Sequence, residues 1–162
     1  MISIVAQAPV YEEEEVRRGL QQYDKNAEIE INKLIFYPYY FFEYEISVGG
    51  LLKLKGKTAC TVDGLSGHGA LIDMQPEFSE RLIEPEKLPL LQLNVEEAKK
   101  VAEDFIFQIA SSKGKYITIP KVQALTSTQF YRPFWLAEYS IQREGECRQL
   151  IVDAVSGSYH PL

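Results

Sequence analysis

Bulky apolar residues alternate along Pro38-Tyr-Tyr-Phe-Phe-Glu43-Tyr44-Glu-Ile46, and the same pattern returns at Pro133-Phe-Trp-Leu-Ala-Glu138-Tyr139-Ser-Ile141. Side chains on a strand point to opposite faces in turn. One face therefore carries Tyr40, Phe42, Tyr44, Ile46 in the first stretch and Trp135, Ala137, Tyr139, Ile141 in the second. This face is predicted to be core beneath a helix. The other face is mixed, with Tyr39, Phe41, Glu43, Glu45 matched by Phe134, Leu136, Glu138, Ser140. Such a strand is expected to be covered on both sides for part of its length.

The helical pattern is clearest from Val95 to about Ser111, where Ala98, Val101, Ala102, Phe105 and Ile109 fall on one face. Asn94 and Glu97 suit a capping box, and Gly114 stands where the helix should end. A weaker stripe, Val16, Leu20 and Tyr23, predicts a helix from Glu12 to about Asp24, with Gly19 lowering its propensity. Further strands are expected over Glu28 to Phe36 and over Tyr116 to Leu125, where Pro120 suggests an edge or a bulge.

A second motif recurs in the same order. Val62-Asp63-Gly-Leu-Ser66-Gly67 is matched by Val152-Asp153-Ala-Val-Ser156-Gly157. The interval from Glu138 to Asp153 is five residues shorter than that from Glu43 to Asp63, as a shortened hairpin loop would produce. The longer loop carries Gly49 and Gly50, and the shorter one runs Arg143 to Glu146. The two copies predict an α+β fold of two tandem repeats, each a helix packed on a small antiparallel sheet. The expected division is 1–75 for the first repeat, 76–91 for a linker containing Pro76, Pro85 and Pro89, and 92–162 for the second.

Composition narrows the function. The net charge of -6 argues against a nucleic-acid partner, which needs clustered Lys and Arg. The run Glu12 to Glu15 reads as the charged first turn of a solvated helix. Two cysteines make no disulfide framework. No stretch has the roughly 20 apolar residues of a membrane span. The start, Met-Ile-Ser-Ile-Val-Ala-Gln-Ala-Pro-Val, lacks the basic flank and apolar length of a secretory signal. A cytoplasmic location is the default expectation, and an extracytoplasmic one if an export segment has been removed.

Catalytic readings find little support. Asp63, Ser66 and His68 are too compressed for a nucleophilic triad, and the local sequence does not fit a nucleophile elbow. Cys60, His68, Cys147 and His160 lack zinc-ligand spacing, so neither metal nor other cofactor is expected. In the Asp-x-x-Ser-Gly motif, Asp63, Ser66, Gly67 and their counterparts Asp153, Ser156, Gly157 are expected to form turns. The carboxylate accepts amide hydrogen bonds there and Gly takes the positive φ. Binding is assigned to the mixed face: Tyr39, Phe41, Glu43, Phe134, Leu136 and Glu138. Glu43 and Glu138 are also the candidate pair for acid and base work, should the repeats enclose a pocket.

A helix followed by antiparallel strands, ending in Val152-Asp-Ala-Val-Ser-Gly157 before a short last strand, resembles the PepSY domain and the wider cystatin-like group. Val62 to Gly67 is the second match. The resemblance implies a non-enzymatic module for protein binding or peptidase regulation. The leading expectation is a protein- or peptide-binding module of unidentified partner, with self-association open. The alternatives are a small-molecule binder or enzyme with a pocket between the repeats, and a structural subunit of a larger assembly.

Overall fold

A computed structural model describes residues 1–49, 54–89, 93–112, 120–141 and 145–162. In order these give β1 (Ile2–Ala6), α1 (Glu13–Tyr23), β2 (Ala27–Val48), β3 (Leu54–Asp63), β4 (Gly69–Ile72), β5 (Ser79–Ile83), a single 3-10 turn (Pro85–Lys87), α2 (Val95–Ser112), β6 (Lys121–Ile141), β7 (Cys147–Asp153) and β8 (Tyr159–Pro161). The expected helix end at Gly114, the strand start at Tyr116, and the two hairpin tips at 50–53 and 142–144 lie outside the described residues.

The expectation of two tandem helix-on-sheet repeats is overturned, and with it the resemblance to PepSY and cystatin-like modules. The eight strands form one mixed sheet, in the order β4-β3-β2-β6-β1-β5, with β7 on β6 and β8 on β7. It is not purely antiparallel, because β1 meets β6 in parallel at Ala6 and Tyr131. β1 and β5 pair antiparallel from Ile2 with Ile83 to Ala6 with Ser79, and neither belongs to the repeated motifs. β5 is the edge strand of this pair, and a short edge strand is selected by its neighbour more than by propensity.

The expected breaks before Pro38 and Pro133 do not occur, and each proline lies inside one long strand. Proline has no N–H to give a ladder, so it is tolerated only where that donor is not needed. The antiparallel ladder of β2 with β3 begins at Tyr39 opposite Asp63, one residue past Pro38. That of β6 with β7 begins at Phe134 opposite Asp153, one residue past Pro133. Each proline thus marks the point where a long strand enters its hairpin.

The chain packs as two compact units, each assembled from segments that are separate in sequence. A terminal unit comprises Met1–Tyr37, Phe78–Pro89 and Tyr131–Leu162, and a central unit comprises Pro38–Glu77 and Leu90–Phe130. In the central unit Tyr40, Phe42, Tyr44, Cys60 and Val62 pack under α2 through Ala98, Ala102 and Ile106. The small alanines let the helix approach the aromatic rings. In the terminal unit Ala137, Leu150 and Val152 pack under α1 through Val16 and Leu20, joined by Ile31 of β2. A second cluster there holds Ile4, Ala6, Phe36 and Ile83. The predicted core face of both motif strands is therefore the face under a helix. The helix on each, however, is the one remote in sequence from that hairpin, and this is why tandem repeats do not form. Burying each such aliphatic side chain stabilises by roughly 1.5–3 kcal/mol. Tyr23, placed in the α1 stripe from sequence, is instead 76% exposed.

Cys60 is fully buried in the central cluster, and burial pushes its thiol up to about 12 from 9.0. Burial likewise raises the Tyr44 phenol above its ordinary value, with Cys60 and Glu103 adding to the effect. Both groups are neutral when protonated, so the fold favours the protonated form. The stability that Cys60 contributes in this way is complete below pH 9 and is lost as pH rises from about 9 towards 12, with the loss from Tyr44 beginning at higher pH. The urea midpoint is predicted to fall steeply above pH 9, and Cys60→Ala to flatten the first part of that fall. A midpoint with equal pH dependence in both proteins would contradict this burial.

Candidate functional site

The site grows out of the two Asp turns. In the terminal unit the Asp153 carboxylate accepts the N–H groups of Val155 at 2.9 Å and Ser156 at 3.3 Å. Gly157 closes the turn at φ +81° and donates its N–H to the Asp153 carbonyl at 2.8 Å. The Ser156 hydroxyl accepts from Ser158 N–H at 3.2 Å. The central unit repeats the design. Asp63 accepts from Leu65 and Ser66 at 2.8 and 3.0 Å, Ser66 accepts from His68, and Gly67 has φ +77°. One carboxylate oxygen of each Asp, Oδ1, takes up the turn's own amides, as befits a structural carboxylate.

Each turn also holds a helix start. Ala154 donates its N–H to the Pro133 carbonyl at 3.0 Å, while its own carbonyl accepts from Val10 and Tyr11, both at 2.8 Å. The Trp135 indole N–H donates to the Tyr11 carbonyl at 2.9 Å. α1 then begins at once, with the Glu12 N–H donating to the Glu15 carboxylate at 3.5 Å. In the central unit Gly64 donates to Pro38 and accepts from Leu93, and the Tyr40 hydroxyl donates to the Leu93 carbonyl at 2.7 Å. Asn94 caps α2 by accepting from Glu97 N–H at 2.8 Å. Close packing tightens the terminal joint, since a Cβ on Gly157 would lie 3.1 Å from the Tyr11 ring.

With α1 fixed this way, a cleft of about 310 Å³ opens beside it, lined by Leu20, Tyr23, Asp24, Tyr139, Leu150 and Tyr159. A neighbouring hollow of about 250 Å³ shares Leu20, Tyr23 and Tyr159 and adds Tyr11, Glu15 and Gly19 among its walls. Tyr23 and Tyr159 meet edge to face, with ring centroids 5.3 Å apart. The neighbouring Tyr23 side chain holds the Tyr159 phenol above its ordinary value. Both rings reach solvent. The charged groups lining the two hollows, Asp24 and Glu15, are acidic.

The residues assigned to binding from sequence fall elsewhere. Tyr39, Phe41 and Glu43 belong to the central unit, with Phe41 buried, Glu43 half-buried, and Tyr39 half-buried and stacked on Phe130 at 5.7 Å. Phe134, Leu136 and Glu138 belong to the terminal unit, where Phe134 is buried and meets Tyr37 edge to face at 5.7 Å. Leu136 and Glu138 are half-buried, and Glu138 accepts a long contact from the Cys147 thiol at 3.8 Å. None of these six lines the tyrosine cleft. In the sequence Tyr23 completes an apolar stripe and Tyr159 stands on a three-residue strand, so pattern alone marks neither as a cleft residue. The usable signal was a tyrosine at the end of an otherwise aliphatic stripe.

Among the described residues no group of three or more His, Cys, Asp and Glu could hold a metal ion, and no helix is long and apolar enough to cross a membrane. No family model, curated protein or solved structure matches the chain.

One asymmetry between the turns gives a test. Arg132 grips Asp153 with Nε at 2.9 and 3.1 Å from the two oxygens and a second nitrogen at 2.8 Å, in a largely buried pair. Tyr37 stands at the corresponding place before Pro38. Asp153→Asn is predicted to cost about 2–3 kcal/mol because it strands the guanidinium, whereas Asp63→Asn should cost only about 1 kcal/mol. Equal losses in urea unfolding at neutral pH would show that the ion pair adds nothing.

Proposed function

We propose that the protein is a non-catalytic binding module, and that its terminal unit captures a short segment of a partner protein in the tyrosine-lined cleft beside α1. The observation that carries this reading is the exposure of Tyr23 and Tyr159, 76% and 37%, on the walls of a concave site. Tyrosine supplies large contact area at little conformational cost, and it is enriched among the residues that dominate binding energy. The site is also held in place before binding, since Tyr11 and the start of α1 are pinned by three hydrogen bonds. Such preorganisation lowers the entropic cost of association.

Recognition works through side chains here more than through strand addition. The hydrogen bonds from Leu162 to Gln149 and from Asp153 to Ser158 fix the alternation of β8, which turns Tyr159 and Pro161 to the outer edge. Proline offers no N–H to an added strand, a common way of protecting an edge. The acidic lining favours a segment rich in Lys or Arg around an apolar anchor.

Selection of random displayed peptides on the intact protein tests the proposal. Enriched peptides are expected to lose roughly thirtyfold in affinity on Tyr23→Ala or Tyr159→Ala. Gly19→Met should also weaken them while keeping the helix, because a Cβ at Gly19 meets nothing within 4 Å and the longer side chain fills the second hollow. Peptides that bind all three variants as well as the natural protein would contradict this site.

A further inference from the structure

From the composition of this cleft we infer that it is a cage for an ammonium group, so that the anchor of the captured segment is a lysine side chain. The inference rests on the peptide-binding reading above and names the chemistry of its anchor. Three phenol rings, Tyr23, Tyr139 and Tyr159, line one hollow together with a single carboxylate, Asp24. Aromatic faces attract a cation through their quadrupole, most strongly when the cation is partly stripped of water. Leu20 and Leu150 complete the wall and suit the apolar stem of lysine, which packs along hydrocarbon while its head seeks charge.

The carboxylate distinguishes this site from a plain apolar pocket. Asp24 follows directly on α1, and its Oδ1 accepts the Asn26 N–H at 2.9 Å, which fixes the carboxylate and leaves Oδ2 for a ligand. A neutral apolar anchor would gain nothing from that charge and would have to desolvate it. An anionic anchor would meet Asp24 and, in the adjoining hollow, Glu15. Arg148, opposite Tyr139 in the β6–β7 pairing, is not part of the lining. The central unit has an open hollow of about 370 Å³ beside α2 where Phe105, His68 and Gln108 replace the phenols, so the cage belongs to the terminal unit alone among these two hollows.

The test compares Nα-acetyl-lysine N-methylamide with its norleucine counterpart, which keeps the hydrocarbon stem and lacks the ammonium. Both are titrated into the intact protein, with the backbone amides followed by NMR into the millimolar range expected for one side chain. The lysine probe should shift Tyr23, Asp24 and Tyr159 along a saturating curve and bind about tenfold more tightly than norleucine. Asp24→Asn, which retains an acceptor for Asn26, should remove most of that preference. Equal or tighter binding of norleucine would overturn the cage and leave the peptide-binding reading standing. Absence of shifts at these residues with either probe would also overturn the cage, and the peptide selection then judges the wider reading by itself.

Discussion

One backbone carbonyl in each unit, at the second residue of an Asp turn, joins the end of a hairpin to the start of a helix. Ala154 receives Val10 and Tyr11, and Gly64 receives Leu93. An aromatic side chain from the neighbouring long strand then binds the carbonyl of the residue just before the helix cap, through Trp135 on Tyr11 and Tyr40 on Leu93. Buried backbone groups need partners, so a turn with an inward carbonyl dictates what may approach it. In both units the approaching segment comes from far along the chain. The helix placement, the core beneath it and the cleft beside it all follow from that junction.

The junction also accounts for the residue types around it. Aspartate closes the turn and leaves the second carbonyl free, glycine takes the positive φ, and the proline carbonyl across the ladder receives the turn's own amide. In the terminal unit Arg132 further immobilises Asp153. A rigid turn fixes Tyr11, Tyr11 fixes the entry to α1, and the far end of α1 then sets Tyr23 and Asp24 against Tyr159. The binding proposal depends on this chain of constraints, because exposed tyrosines on a mobile segment would lose in ordering what they gain in contact.

Much of the local structure was legible because it is encoded locally. Strand alternation identified the face holding Tyr40, Phe42, Tyr44 and Ala137, and spacing placed both ends of α1 and the start of α2 within about a residue of those observed. What the sequence did not disclose is which helix covers which hairpin. Val16 with Leu20 and Ala98 with Ala102 are both short apolar stripes, and nothing in either pattern names its partner. The parallel contact of β1 with β6 and the edge strand β5 were hidden for the same reason, since pairing across long intervals leaves no periodic trace. The tyrosine cleft was missed because it depends on that unforeseen pairing: Tyr23 looks like core until α1 is seated on β6 and β7.

The central claim is that each helix seats on the hairpin remote from it in sequence, and contacts between methyl groups and rings measured by NMR test it most directly. The account predicts nuclear Overhauser effects from Val16 and Leu20 to Ala137, Leu150 and Val152, and from Ala98, Ala102 and Ile106 to Tyr40, Tyr44 and Val62. Effects linking Val16 and Leu20 to Tyr40, Tyr44 and Val62 instead would restore two tandem repeats and contradict it.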